Sequence, residues 1–141
     1  MSEGLTGVFR GLRIAASGLS AQRTRMETIA TNIANAETTR TADGGPFQRR
    51  VVTLTEIPLD QARDPETGGG VRVDSIGVDR SEGQLVYDPG HPDADDRGYV
   101  EMPNVDMTTE MIDMMETRRF FEANASVFEA VKSILSRSAR I

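Results

Sequence analysis

Apolar residues in the first quarter of the chain recur by alternating steps of three and four: Leu5, Val8, Leu12, Ala15, Leu19, Met26, Ile29, Ile33 and Ala36, with Gln22 as the one polar member. That spacing is the seam of a coiled-coil helix. Gly4, Gly7 and Gly11 weaken its first turns, so a start between Gly4 and Val8 is expected, and Asn35 is expected to end it in a left-handed cap. An isolated helix is marginal in water, whereas burying each large seam residue contributes about 1.5–3 kcal/mol, so the stripe demands a partner.

A second stripe near the other end supplies one: Met111, Met114, Met115, Phe121, Ala125, Phe128, Val131 and Leu135. This helix is expected to start after Pro103, capped by Asn104 or Asp106. Between the helices the period changes. All six prolines and nine of the thirteen glycines fall in residues 37–103, and four strand candidates stand out: 47–57, 71–78, 84–87 and 99–102. The expected architecture is mainly α with a small β lobe. An N-terminal helical segment (1–36) and a C-terminal one (104–141) form an antiparallel coiled coil around a β-rich insertion (37–103). The seam is assigned to Leu12, Leu19, Met26, Ile29 and Ile33 against Met114, Phe121, Phe128 and Leu135. Apolar residues off that seam, Ile14, Phe120, Val127 and Ile134, exceed what two helices can bury and are assigned to a subunit interface.

Charge sharpens this reading. The net charge of −6 is concentrated in residues 37–106, where seven Arg face fifteen acids. An acidic middle argues against a nucleic-acid surface. Arg49 and Arg50 read as solvated or subunit-contact charges. There is no cysteine, which excludes a disulfide scaffold, a thiolate metal site and a catalytic thiol. No stretch reaches the roughly 20 apolar residues that span a bilayer, and the first ten residues lack the pattern of a cleaved signal.

Candidate chemistry is sparse. His91, the one histidine, sits in the acidic run from Asp88 to Gly98. Counted from Asp93 as an EF-hand, that run has Arg97 at the fifth position and Asn104 at the twelfth, so the calcium reading gives way to ordinary turn chemistry. Gly68 to Gly70 lack the Lys-Ser/Thr of a phosphate loop and read as a flexible linker. The methionines Met107, Met111, Met114 and Met115 read as seam residues before they read as a binding groove. The sequence therefore points to a non-enzymatic protein with no cofactor and no small-molecule substrate.

Three stretches together carry a resemblance. Residues 19–36, with Asn32 and Asn35, resemble the amino-terminal motif of flagellar axial proteins. Residues 86–105 resemble the central block of the FlgC family of proximal rod proteins, through Tyr87, Asp88, Pro89, Gly90, His91, Pro92, Gly98, Tyr99, Met102, Pro103 and Asn104. Residues 118–133 are similar to the carboxy-terminal axial helix. Residues 59–69 match nothing in the family pattern. The resemblance implies a subunit of the basal-body rod that spans the periplasm and transmits torque, exported by the type III apparatus without a cleaved signal. It implies a homo-oligomer in a helical rod, with other rod proteins, the membrane ring and the base of the export gate as partners. It also adds Asn32 and Asn35 to the subunit interface and makes 87–104 the surface specific to the family. The rival readings are another axial protein of the superfamily, or an adaptor of the export system with a helical groove.

Overall fold

The computed structural model describes residues 2–59 and 68–140. The element order is α1 (Ser2–Ala34), β1 (Arg50–Glu56), β2 (Val71–Val78), β3 (Leu85–Tyr87), β4 (Tyr99–Glu101) and α2 (Met107–Ser138). The chain is mainly helical with a small β part, in which β1 pairs with β2 and β3 with β4. Among the described residues, no helix is long and apolar enough to cross a membrane.

The four strands among the described residues fall within the ranges expected from β-branched enrichment at 47–57, alternation at 71–78 and the short candidates at 84–87 and 99–102. The connection at 60–67, within the stretch that the family pattern leaves unmatched, lies outside the described residues. The chain folds as two compact units: Met1–Met26, Val52–Ser75 and Glu116–Ile141 form the first, and Glu27–Val51 and Ile76–Met115 the second.

The helix ends show how local chemistry sets their bounds. α1 begins earlier than its glycines suggest, at Ser2. It ends without a left-handed residue, since no non-glycine residue among those described has positive φ. Asn35 instead folds its side chain back, donating from Nδ2 to the Thr31 carbonyl at 2.9 Å. Asp106 caps α2, its Oδ1 accepting from the Thr109 N–H at 2.8 Å. That bond holds the Asp106 carboxyl below the usual range.

In the first unit, the deepest positions of α1 go to small residues. Ala15 and Ala21 are buried, while Leu12, Leu19 and Met26 are half-buried. On α2 in the same unit, Thr117 has no exposed surface. A Cβ built on Gly18 would meet the side chain of Asn124 at 2.9–3.0 Å, so glycine lets the two helices approach there. The stripe of α2 is shifted from the expectation in the second unit: Met111 is 47% exposed and Met115 63%, while Glu110 is fully buried. The buried position at that turn belongs to a carboxylate, for reasons given below.

Gly68 to Gly70 are no linker. Gly69 and Gly70 have φ of 87° and 98°, and the Gly69 N–H donates to the Ile57 carbonyl at 2.9 Å, closing the β1–β2 end. A Cβ on Gly70 would lie 2.4 Å from Ser17 Oγ. That hydroxyl donates to the Ile14 carbonyl at 2.7 Å and accepts from the Val71 N–H at 3.1 Å. The glycines bring the strands onto α1, where a side chain would hold them off.

The glycines of α1 should therefore separate by experiment. Gly7 has nothing within 4 Å of a built Cβ, so Gly7→Ala should stabilise the chain by about 0.5–1 kcal/mol. Gly18→Ala should instead lower the midpoint of denaturant unfolding, because Asn124 must move.

Candidate functional site: a buried polar junction and an exposed hairpin

The second unit is organised by hydrogen bonds between residues far apart in the chain. Asn32, 1% exposed in the last turns of α1, reads the backbone of Arg50 as a neighbouring strand would. Its Oδ1 accepts from the Arg50 N–H at 2.9 Å and its Nδ2 donates to the Arg50 carbonyl, also at 2.9 Å. The same Nδ2 donates to Glu110 Oε2 at 3.1 Å. The other carboxylate oxygen of Glu110 accepts from Arg49 Nε.

Arg49 also reaches Asp113 Oδ2 at 3.4 Å. Its guanidinium is held charged, with a raised pKa, first by the bond to Glu110 and then by the two carboxylates' charges against the cost of partial burial. Arg49 is thus not a solvated face: its side chain is 26% exposed and serves a buried carboxylate. A charge buried in this way is stable only while paired and hydrogen-bonded.

Asn104 forms a second node. Its Oδ1 accepts from the Arg49 N–H at 2.7 Å, and its Nδ2 donates to the carbonyls of Asp79 at 2.8 Å and Ser81 at 3.0 Å. The Asp79 N–H in turn donates to the Arg49 carbonyl at 2.8 Å. Two asparagines therefore hold residues 49–50, 79–81 and the start of α2 together. Close by, Gly83 is compulsory, since a Cβ there would fall 1.7 Å from the Met102 carbonyl oxygen.

The family-pattern loop is a tight hairpin end. β3 and β4 are antiparallel with Leu85 opposite Glu101, Val86 opposite Val100 and Tyr87 opposite Tyr99. The Tyr87 and Tyr99 rings meet edge-on, 5.3 Å between centroids. Gly98, at φ 83°, leaves room for them: a Cβ would lie 2.9 Å from Tyr87 and 3.0 Å from Pro89.

The acidic side chains fold the loop. Asp95 Oδ1 accepts from the N–H groups of Arg97 and Tyr99 at 2.8 and 2.9 Å. His91 Nδ1 accepts from the Asp93 N–H at 3.0 Å. Asp93 takes the Thr39 hydroxyl at 2.7 Å and pairs with Arg40, which together hold its carboxyl below the usual range. Among the described residues, no group of three or more His, Asp or Glu is placed to hold a metal ion. Val100 is buried, while Leu85, Val86, Tyr87 and Tyr99 stand 63%, 40%, 64% and 41% exposed.

The other assigned residues are distributed as follows. Of the seam set, Ile29 is buried, and Leu12, Leu19, Met26, Ile33, Met114, Phe121, Phe128 and Leu135 are half-buried. Of the interface set, Ile14, Phe120, Val127 and Ile134 are exposed, whereas Asn32 is a correction: its amide is fully engaged within the chain. Asn35, half-buried, closes the end of α1. Periodicity does not reveal the roles of Glu110 and Arg49. The available signal was a lone acid at a seam-spaced position, Glu110, four residues before Met114.

Asn32→Ala would orphan the Arg50 N–H and one oxygen of Glu110, at about 1–3 kcal/mol for each buried group, and chemical unfolding should show it. Acid should act through Asp79, Asp93 and Asp106, whose carboxyls are all held below their ordinary value. Their contribution is complete above the unfolded value of about 3.9 and is lost as pH falls through the lower folded values. Stability should therefore be flat near neutrality and drop below about pH 4, with a shallower acid slope in Asp106→Ala.

Comparison with known proteins identifies the family. A family model described as Flagella basal body rod protein matches residues 12–40, and one described as Flagellar basal body rod FlgEFG protein C-terminal matches residues 96–141. The chain is 42% identical to the flagellar basal-body rod protein FlgC of Borreliella burgdorferi, covering 94% of this chain and 95% of that one. It is 37% identical to FlgC of Bacillus subtilis, over 94% and 97%. Identity to FlgC of Salmonella typhimurium is 40%, over 89% and 90%. With relatives matched over nearly their whole length at these identities, the chain belongs to the FlgC family of flagellar basal-body rod proteins.

Proposed function

We propose that this chain is a structural, non-enzymatic subunit of the proximal rod of the flagellar basal body. It is exported without a cleaved signal and stacks helically with its own copies and with other rod proteins across the periplasm, above the membrane ring and the export gate. In this role it transmits torque from motor to hook. The observation that carries the reading is the match to FlgC rod proteins along nearly the whole chain.

In the same reading, segments 1–36 and 104–141 pair as an antiparallel coiled coil around the 37–103 lobe. Contacts within the first unit support the direction. Leu5, Val8 and Phe9 line one apolar groove of about 900 Å3 with Leu135 and Ala139, while further along α1 Gly18 approaches Asn124. Position thus rises on one helix as it falls on the other. The hairpin end at 87–104 supplies the surface that distinguishes this subunit from other axial proteins, through exposed Tyr87 and Tyr99.

The reading is tested by expressing the tagged chain in a strain that lacks its own FlgC and purifying basal bodies. The chain should co-purify with the rod and restore swimming. Leu19→Asp should abolish both, because an unpaired charge in the seam is costly to bury. Normal rods and swimming with that variant would overturn the seam assignment.

A further inference from the structure

The two edges of the β3–β4 ribbon are finished differently. The Asp88 N–H donates to the Gly98 carbonyl at 2.9 Å and the Met102 N–H to the Gln84 carbonyl at 2.8 Å. With Val86 opposite Val100, these bonds turn the N–H and C=O groups of Leu85 and Tyr87 away from β4. On the outer side of β4 the loop covers the equivalent groups of Tyr99. Its N–H donates to Asp95 Oδ1 at 2.9 Å, and its carbonyl accepts from the Asp95 N–H at 2.8 Å. On the outer side of β3, among the described residues, nothing bonds to the backbone of Leu85 or Tyr87. Residues 84–90 are exposed throughout. Folded chains normally blunt a bare apolar edge with Lys, Pro or a bulge, because any extended segment can pair with it, and Leu85–Tyr87 carries none of these.

Charge says which kind of segment fits. Residues 82–101 hold six acids and one arginine. Asp93 and Asp95 are engaged within the loop. Among the described residues, the carboxylates of Glu82, Asp88 and Glu101 make no ion pair, and they stand before, after and opposite β3. Alternation puts Leu85 and Tyr87 on one face with Tyr99 and Glu101, and Val86 on the other. We propose that β3 takes up, as a third strand, an extended segment of a partner protein in which basic and apolar residues alternate. Basic side chains opposite Leu85 and Tyr87 then lie on the carboxylate face, one in reach of Glu101 and one over the Tyr87 ring. The apolar residue between them covers Val86. The proposal goes beyond the rod reading and does not rest on it, since the edge belongs to the single subunit.

The probe is an end-blocked seven-residue peptide of alternating arginine and valine, added to the full chain. With the peptide at ten times its Kd, amide exchange at Leu85 and Tyr87 should slow about tenfold. The same peptide with glutamate for arginine should bind at least tenfold more weakly, and Glu101→Gln should weaken the arginine peptide about two- to fivefold. Leu85→Pro removes a donor that β4 does not use, so the circular dichroism unfolding curve should hold while affinity falls tenfold or more. If that variant fails to fold, the exchange pattern of the unsubstituted chain decides alone. No binding at millimolar peptide, equal binding of the glutamate peptide, or protection that spares Leu85 and Tyr87 would each overturn the proposal. So would dimers of the chain alone that protect the same two amides, because the occupant would then be a second copy.

Discussion

A carboxylate with no exposed surface is the constraint on which the second unit depends. Removing Glu110 from water costs several kcal/mol even after relaxation, and breaking a buried pair by deleting one partner costs about 3–5 kcal/mol. Glu110 is tolerable only while Asn32 and Arg49 both reach it. Those residues come from the last turns of α1 and from the segment before β1, so the charge ties three parts of the chain to one geometry. The net stabilisation from such a pair is small. Its effect is on specificity: any other alignment of Asn32 and Glu110 leaves charged or amide groups buried without partners.

The asparagines make the constraint directional. Asn32 offers Arg50 the donor and acceptor of a peptide, so the start of β1 meets a strand-like edge at the end of a helix. Asn104 does the same for three backbone groups at Arg49, Asp79 and Ser81. Here a side-chain amide does what a backbone ladder does elsewhere, which lets two strands of three residues and an irregular connection persist on a thin apolar core.

The elements were legible in the sequence where their cause is local. Steps of three and four give both helices, β-branched runs give the strands, and Asp106 gives the start of α2 through a bond three residues away. What could not be read is set by distance or by size. Asn32 and Glu110 are 78 positions apart, and no period links them. Periodic reading also favours bulky residues, whereas the closest approach of two helices selects small ones, so Leu12 and Leu19 end half-buried while Ala15, Ala21 and Thr28 lie deeper. Gly68 to Gly70 failed for a related reason. A glycine run has the same composition whether it is loose or pressed against a helix, and only Ser17 and Ile14 on the far side decide which.

The two units use different physics. In the second, polar groups are matched one to one, and such matching tolerates little change of partner. In the first, buried contacts are made by small and half-buried apolar residues, and Phe120, Val127 and Ile134 remain in water. An apolar row costs little to leave exposed one residue at a time, and it gains from any helix of suitable spacing. Specific polar bonds fix the geometry of the second unit, whereas no such matching holds the apolar row of the first.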